Sequence, residues 1–315
     1  MISTLELARI CGVSQGTVDR ALHDRAGVSQ ATRARVLREA AARDYRPHPA
    51  AREILTGSNP VVQAVLPAAN NLFFMDLAEQ IGQALAGRGL RLQIALVRDR
   101  KALIETLEDA AARRQRLSII IPPEDGIELP AGLVRDLPMV FLLAPCANPS
   151  VLFLSPDEER TGGSGVDYLA RRGHRRIAFL SSPRLTQAVE ARMRGYLKEM
   201  KSRNLTPDIF REGDLRSLPD WIAERKATAL FCHNDWLAVQ AIQALQKRAV
   251  RIPDDLSVLG VDASPTLASL FPNLTTLAYP VEALVASILS LLDGKNASLA
   301  HASCRIMSRG TVADI

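Results

Sequence analysis

Three polar residues stand where hydrogen bonds could hold a small ligand. Asn234 and Asp262 each follow a short apolar run, and Arg192 opens a helix after a loop. Arginine offers a planar fork of donors, aspartate accepts from hydroxyl groups, and asparagine can do both. Polar residues at the carboxyl ends of parallel strands meet at the edge where open α/β sheets bind ligands. The three residues therefore predict a site for a ring with adjacent polar groups. The alternative for each is a helix cap or an interdomain salt bridge.

Two other residue sets have the composition of catalytic machinery but not its spacing. Ser181, His233 and Asp235 include the residue types of a hydrolytic triad, yet the serine is not in a G-x-S-x-G elbow. No third group is placed to orient the base. The run G-G-S-G (162–165) matches neither of the common phosphate-binding glycine patterns. We therefore expect no catalytic residues and no enzyme.

Cysteine usage and hydropathy restrict the cofactors and the compartment. The four cysteines are widely scattered and form no C-x-x-C, which indicates neither a zinc site nor a disulfide framework. No apolar run approaches the roughly 18 to 20 residues that cross a bilayer. The segment after Met1 is amphipathic and lacks the basic stretch and apolar core of an export signal. We expect a cytoplasmic protein with no metal, no cofactor and no membrane partner.

The chain begins with three predicted short helices. Ser3 and Glu6 form a capping box, Ser14 can cap a second helix, and Ser29 can cap a third. The polar face of the second helix carries Gln15, Gly16, Asp19 and Arg20. The connection A-x-x-x-G-V-S (8–14) is typical of a helix-turn-helix, whose second helix enters the major groove of DNA. The alternative is a small helical bundle with a basic solvent face. Residues 1–58 have a modest excess of positive charge, with nine arginines against six acidic residues.

Longer motifs make this match specific. The motifs are A-R-I-C-G-V-S-Q-G-T-V-D-R-A-L (8–22), G-V-S-Q-A-T-R-A-R-V (27–36) and Y-R-P-H-P-A-A-R-E-I-L-T-G (45–57). Together they resemble the headpiece and hinge of the LacI/GalR family of transcriptional regulators. The DNA-contacting positions that the resemblance implies are Ser14, Gln15, Gly16, Thr17, Asp19, Arg20, Ser29, Thr32 and Ile54.

The resemblance also implies a role for each of these positions. Gln15 and Gly16 would hold the two leading base-reading positions, with Arg20 at the later one. Glutamine can pair with adenine and arginine with guanine, whereas glycine has no side chain with which to read a base. Ser14, Ser29 and Thr32 match positions whose hydroxyls face phosphate and fix the register on DNA. Asp19 departs from the family's usual serine, and either accepts from a cytosine amino group or pairs with Arg20 or Arg33.

The segment after the third helix is expected to be a hinge. Pro47 and Pro49 stop the helix, and residues 50–55 can form about one and a half helical turns. A helix this short is unstable alone in water. In the family such a hinge orders on operator DNA, where a leucine from each of two subunits enters the minor groove. Ile54 falls at that position, and His48 replaces the usual asparagine.

The rest of the chain predicts an α/β fold. Short apolar runs alternate with helical stretches, at 61–66, 92–97, 118–121, 139–143, 177–181, 228–232 and 257–261. A break near 155–157 divides them into two clusters. We expect an all-α helix-turn-helix headpiece followed by two doubly wound parallel-sheet subdomains with a cleft between them. This part resembles the periplasmic-binding-protein-like (type I) sensor of the same family.

The resulting domain boundaries follow from these breaks. We expect a DNA-binding domain at 1–46, a hinge at 47–59, and an effector-binding and dimerisation domain at 60–315. Within the last, the N-subdomain would hold about 60–157 with part of 280–303. The C-subdomain would hold about 158–279 with 304–315.

The resemblance extends to the ligand site. Arg192, Asn234 and Asp262 occupy positions that hold the effector's hydroxyl or carboxylate groups in the family. Phe73 and Phe74 resemble its aromatic pair that packs on the effector ring, the alternative being core packing. Alanine at 263 replaces a common second aspartate.

The sequence thus predicts a ligand-responsive transcription factor, and specifically a repressor. It would bind a palindromic operator in double-stranded DNA as a homodimer, under the control of a sugar, a sugar acid or a related polar effector. The alternative is a sensor or binding protein that captures a small solute without acting on DNA. The headpiece residues and the missing export signal favour the regulator.

Overall fold

The computed structural model describes residues 2–45, 59–68, 71–182, 185–211, 213–299 and 302–315. The chain divides into two compact units, Met1–Asn59 and Pro60–Ile315. The expected hinge helix and Ile54 lie outside the described residues. In the part of the chain that is described, no helix has the length and hydrophobicity of a transmembrane segment.

The first unit contains three helices around a small core. They are α1 Thr4–Ile10, α2 Gln15–Leu22 and α3 Gln30–Ala42. The capping box is present, because the Ser3 amide donates to Glu6 Oε2 at 2.7 Å and the Glu6 amide donates back to Ser3 Oγ. The core residues include Leu7, Cys11, Val18, Val36 and Tyr45.

The second unit begins with a sheet of five parallel strands in the order β2-β1-β3-β4-β5. The strands are β1 Val61–Pro67, β2 Arg91–Val97, β3 Leu117–Ile120, β4 Met139–Leu142 and β5 Leu152–Leu154. The helices that alternate with them are α4 Leu72–Ala86, α5 Arg100–Ala112 and α6 Ala131–Asp136. Because β1 pairs with both β2 and β3, the winding direction reverses at the carboxyl end of β1.

A second sheet has six strands in the order β11-β10-β9-β8-β6-β7. The strands are β6 Ile177–Leu180, β7 Asp208–Phe210, β8 Ala229–Cys232, β9 Ser257–Asp262, β10 Thr275–Ala278 and β11 Arg305–Met307. The helices are α7 Glu158–Arg171, α8 Gln187–Ser202, α9 Leu218–Arg225, α10 Asp235–Gln246, α11 Pro265–Leu270 and α12 Val281–Leu292. Only the β10–β11 pair is antiparallel among these described strands.

We call the two halves of the second unit the first-sheet and second-sheet subdomains. The chain crosses between them more than once. Helix α12 packs through Leu284 and Ile288 into the core beneath the first sheet, although β10 before it and β11 after it pair in the second sheet. The two parallel-sheet subdomains expected from the apolar runs are confirmed.

Helices α7 and α8 of the second-sheet subdomain approach each other unusually closely. A Cβ atom at Gly162 would lie 1.9 Å from the Arg192 carbonyl oxygen, and one at Gly195 would lie 1.8 Å from that of Glu159. Gly165 faces the Phe231 ring at a similarly short distance. These glycines therefore permit close packing around α7. Packing explains the G-G-S-G run, and no phosphate-binding role is needed to account for it.

Two carboxylates of the first-sheet subdomain contact helix N-termini of the second. Asp76, buried on α4, accepts hydrogen bonds from the Ser264 hydroxyl and from the Thr266 amide and hydroxyl at the start of α11. Asp125, in the segment after β3, accepts from the Gln187 amide at the start of α8. Helix N-termini favour anions, because their first amides lack partners within the helix.

Candidate functional sites

The polar face of α2 is exposed as the sequence predicts. Gln15 and Gly16 are exposed, and Arg20 is exposed with its Nε donating to the Gly16 carbonyl at 3.1 Å. Ser14 caps the helix by accepting from the Thr17 amide at 3.1 Å, and the two hydroxyls lie 2.9 Å apart. This end of the helix thus presents a hydroxyl pair, an amide and a guanidinium to solvent.

A second hydroxyl pair marks the start of α3. Ser29 Oγ accepts from the Thr32 amide at 3.2 Å and donates to the Thr32 hydroxyl at 2.9 Å. The cap predicted for the third helix is therefore confirmed. Leu37 on α3 is 45% exposed, because the short first unit buries only a narrow stripe of this helix.

Asp19 has different partners from those expected. Its carboxylate accepts from Arg25 Nη1 at 3.2 Å and lies 3.1 Å from His23 Nδ1. Neither Arg20 nor Arg33 is its partner, because Arg20 turns back to the helix backbone and Arg33 pairs with Asp24. The charge of Asp19 is thus balanced by Arg25 of the same unit.

The second unit contains a cavity of about 240 Å³ that both subdomains line. Its walls include the carboxyl ends of β1, β3, β8 and β9 and the start of α8. The five residues predicted for the ligand site all line it: Phe73, Phe74, Arg192, Asn234 and Asp262. Lining residues that the prediction missed include Asn71, Asp125, Glu158, His233 and Tyr279.

Arg192 is placed differently from the prediction. It lies within α8, which begins at Gln187, and its side chain is almost fully buried. The guanidinium donates to Glu158 Oε2 from Nε at 2.9 Å and from Nη2 at 2.5 Å, while Nη1 donates to the His233 carbonyl. The expectation that Arg192 opens a helix was wrong, because α8 starts several residues earlier, where Thr186 caps it.

The buried ion pair between Arg192 and Glu158 affects the charge state of the groups around it. Burial by itself lowers the pKa of Arg192, but the attraction of Glu158, together with that of Asp262, raises the pKa above its usual value. Burial, and then the nearby Arg192 charge, lower the pKa of His233 well below its usual value. Arg192 is therefore a permanent cation bound to Glu158, beside a neutral imidazole.

Asp262 ends β9 in a backbone conformation with φ of +125°. Burial and the neighbouring Asp235 raise the pKa of its carboxyl well above the usual range, while Arg192 opposes them. Its Oδ2 is buried and has no hydrogen-bond partner among the described residues. A buried acceptor of this kind is costly unless a donor reaches it.

Asp235 supports the turn that holds Asp262. One carboxylate oxygen accepts from the Thr276 hydroxyl at 2.6 Å and the other from the Ala263 amide at 2.8 Å. Burial raises the pKa of Asp235 to about 7. The hydrolytic-triad alternative therefore fails, since Asp235 bonds to the β9–α11 turn and Ser181 donates to the Ser182 carbonyl.

Asn234 and the phenylalanines combine structural and cavity-lining positions. Asn234 caps α10 through Oδ1, which accepts from the Leu237 amide at 2.9 Å, and leaves its amide nitrogen unused by the cap. Phe73 is buried in the core and packs edge-on against Tyr279, with ring centroids 5.1 Å apart. Phe74 is half-buried beside it. Asn234 is thus a helix cap and the two phenylalanines pack in or against the core, and all three residues also line the cavity.

Family models match both units of the chain. Residues 5–48 match the model described as bacterial regulatory proteins, lacI family. Residues 166–312 match the model of a periplasmic binding protein-like domain.

Individual proteins match nearly the whole length. The HTH-type transcriptional regulator MalR of Streptomyces coelicolor is 27% identical over 308 residues, covering 91% of this chain and 88% of its own. The HTH-type transcriptional repressor CytR of Escherichia coli is 26% identical over 312 residues, covering 94% of this chain and 90% of its own. A crystal structure of the lac repressor dimer, bound to operator and the anti-inducer ONPF, superimposes with a TM-score of 0.80 at 20% identity, covering 99% of both chains.

Proposed function

We propose that this chain, whose two units match models of the lacI family and of a periplasmic binding protein-like domain, is a DNA-binding, ligand-responsive regulator of the lacI type. In this proposal it is a repressor that binds a palindromic operator as a homodimer and responds to a small polar effector in its cavity. One observation carries the proposal. The five residues predicted for effector binding come from separate elements of both subdomains and converge on one cavity. A ligand bound there would contact both subdomains and favour the arrangement it fits best.

The operator would be read by α2 and positioned by the two hydroxyl pairs. In this proposal Gln15 and Arg20 contact base edges, while Thr17 and Gly16 lie against the groove. The hydroxyls of Ser14, Ser29 and Thr32 contact phosphate, and Asp19 holds Arg25 beside the DNA. The predicted hinge at 47–59, with Ile54 at its wedge position, would complete the contact in the minor groove. A protein with this headpiece acts where the chromosome is, so we propose a cytoplasmic location.

The homodimer would form through an exposed apolar face of the second unit. Large apolar side chains are exposed on three elements: Met75 on α4, Ile94 and Leu96 on β2, and Leu270 on α11. Helix α4 contacts both of the other elements, and β2 is an edge strand. A second copy on this face would bury these side chains. The lac repressor, whose fold is similar, was crystallised as a dimer bound to operator.

The cavity is suited to a compact effector. Its 240 Å³ is below the range of about 300–1,000 Å³ that is usual for drug-sized ligands. Aromatic rings form one part of its wall, while Asp262, Asn234 and Arg192 supply polar groups on another. A single sugar ring fits this combination of size and chemistry.

The test is operator binding by the full chain, with and without effector. Selection from random DNA should give a two-fold symmetric site occupied by a dimer. A screen of small metabolites by thermal shift should identify an effector, which stabilises the folded protein by mass action. Asp262→Ala should then weaken the effector response about ten- to a hundredfold, because a hydrogen bond to a charged group contributes roughly 1.5 to 3 kcal/mol.

The same variant should bind operator as tightly as the parent protein does. An Asp262→Ala protein that responds at the parent's effector concentration would place the effector site elsewhere. Failure of the parent protein to select any DNA sequence would overturn the proposed regulator.

A further inference from the structure

The Arg192 guanidinium is already bound within the protein. Three of its donor bonds go to protein oxygens: two reach Glu158 Oε2 and one reaches the His233 carbonyl. The side chains of Arg192 and Glu158 are each only 4% exposed. A carboxylate or phosphate ligand that sought a bidentate contact with this guanidinium would have to displace a buried carboxylate of the protein, and displacement would leave that carboxylate unpaired.

The cavity wall also presents acceptors that lack donors. Glu158 Oε1 and Asp262 Oδ2 are both buried, and neither has a hydrogen-bond partner among the described residues. Both residues line the cavity. Hydroxyl groups of a ligand can donate to these two oxygens, whereas an ionised ligand carboxylate or phosphate has no proton to donate to them. The Tyr279 hydroxyl in the same wall also lacks a partner in the described part of the chain, and it can bond to a ligand of either class.

The charged groups of the cavity wall also disfavour an anionic ligand. Its described residues carry one cation, Arg192, against the carboxylates of Asp125 and Glu158. The Asp262 carboxyl, whose pKa is raised by burial, adds no positive charge in either protonation state. His233 does not add to the positive charge, because burial lowers its pKa. Like charges forced together in a desolvated site cost several kcal/mol in typical interfaces. An anionic ligand would meet this repulsion, and an uncharged ligand would not.

We propose that Glu158 sets the charge class of the effector: by holding the Arg192 guanidinium, it reserves the cavity for an uncharged ring compound rich in hydroxyl groups and excludes carboxylates and phosphates. This inference rests on the proposed function, since it concerns the same cavity. It narrows the expected effector from sugars, sugar acids and related polar compounds to uncharged ring compounds with hydroxyl groups. Glu158 is a specificity-determining residue in this account.

The parent protein provides the first test, by calorimetry and thermal shift with matched pairs of ligands. The pairs are glucose and glucuronate, ribose and ribose 5-phosphate, and uridine and uridine 5′-monophosphate. We expect at least one uncharged member to bind, with its anionic counterpart weaker by about tenfold or more. Tighter binding of an anionic member overturns the proposal, and so does the failure of every uncharged member to bind.

Glu158→Gln provides the second test. The glutamine keeps an acceptor oxygen for Arg192 but removes the negative charge, so the guanidinium becomes available to an anion. We expect the preference for the uncharged member of the pair to shrink by about tenfold or more in this variant. The matched control is Glu159→Gln, which removes the same charge one residue away, where Glu159 pairs with Lys198 on the surface.

The outcomes separate this inference from the proposed function. An unchanged ligand preference in Glu158→Gln, or an equal change in Glu159→Gln, overturns the role of Glu158. If Glu158→Gln fails to fold, the matched pairs on the parent protein still decide the charge class. Operator selection is measured independently of ligand binding. If the parent protein selects no DNA, the proposed regulator is overturned, and the ligand measurements still test the role of Glu158.

Discussion

Asp262 is a residue whose burial costs stability. Its carboxyl has a raised pKa because it is buried near Asp235, so the ionised form is less favourable in the folded chain than in the unfolded chain. This cost is present above the unfolded pKa, where the unfolded chain is ionised, and disappears as the pH falls below it.

We therefore expect Asp262→Asn to raise the melting temperature of the ligand-free protein at pH 8. Asparagine removes the buried charge and also tolerates a positive φ. Differential scanning calorimetry measures the effect. The control is Asp255→Asn on the surface, where hydrogen bonds from Arg251 lower the pKa of Asp255 to about 2, so its removal should lower the melting temperature. A lower melting temperature in Asp262→Asn would mean that the carboxylate is stabilised in the folded state.

At the residue scale, sequence reasoning found the cavity but not its charge. Asn234 and Asp262 could be predicted, since each follows an apolar strand and strand ends meet at one edge. Glu158 could not be predicted, because an acidic residue in the first turn of a helix is explained by the helix dipole alone. Its contact with Arg192 depends on how closely α7 approaches α8, which no spacing within either helix reveals.

At the scale of elements, the α7–α8 contact predicts opposite effects for two neighbouring glycines. Gly162→Ala would place a methyl group 1.9 Å from the Arg192 carbonyl oxygen, so the helices must separate. We expect a loss of roughly 1 to 3 kcal/mol in the free energy of unfolding, measured by urea titration. At Gly163 the nearest atom to a new methyl is 3.8 Å away. Gly163→Ala should be neutral or gain about 0.5 to 1 kcal/mol. Equal effects of the two substitutions would contradict the close approach.

Helix α2 carries a glycine that its own unit does not require. A Cβ at Gly16 would lie 3.8 Å from Arg20 Nη2 and 3.9 Å from Ser14 Oγ, which are ordinary contacts. Gly16→Ala should therefore stabilise the helix by about 0.5 to 1 kcal/mol. If Gly16 lies against DNA, the same change should weaken operator binding.

Hydrogen exchange of the α2 amides in the full chain, together with operator titration, tests both effects. Gly12→Ala is the control, because Gly12 has a φ of +61° and alanine there should destabilise the unit. Faster α2 exchange in Gly16→Ala, or an unchanged operator affinity, would contradict the account of Gly16.

The elements themselves could be predicted to different extents. The seven apolar runs of the second unit all correspond to strands. Six of these strands are buried, and strands buried on both faces are nearly continuous in apolar residues. The seventh, the edge strand β2, is apolar in sequence although most of its residues are exposed or half-buried. Strands β5, β7 and β11 have only three residues each and lie at sheet edges, so they carry little apolar signal. Strand β10 is longer, but its sequence T-T-L-A includes two threonines that the apolar pattern does not register.

At the scale of the whole molecule, operator affinity should fall steeply with salt. Each phosphate contact releases condensed counterions, so the logarithm of the binding constant falls by about 0.9 per contact for each decade of salt. Arg20→Ala and Arg35→Ala should each make this slope shallower, since both side chains are exposed on the first unit. Arg135→Ala, on an exposed arginine of the second unit, is the control. A binding constant that is independent of salt, or a monomer on a single half-site, would contradict dimeric operator binding.

The contacts that Asp76 and Asp125 make across the two subdomains also bear on the rate at which a ligand can exchange. Any motion that separates the two subdomains must break these carboxylate contacts, so a ligand that enters or leaves by such a motion must wait for at least one carboxylate to leave its helix N-terminus. Exchange would then be governed by the frequency of opening and not by diffusion. A regulator of this design would respond to the average concentration of its signal and would ignore brief fluctuations, because its occupancy outlasts them.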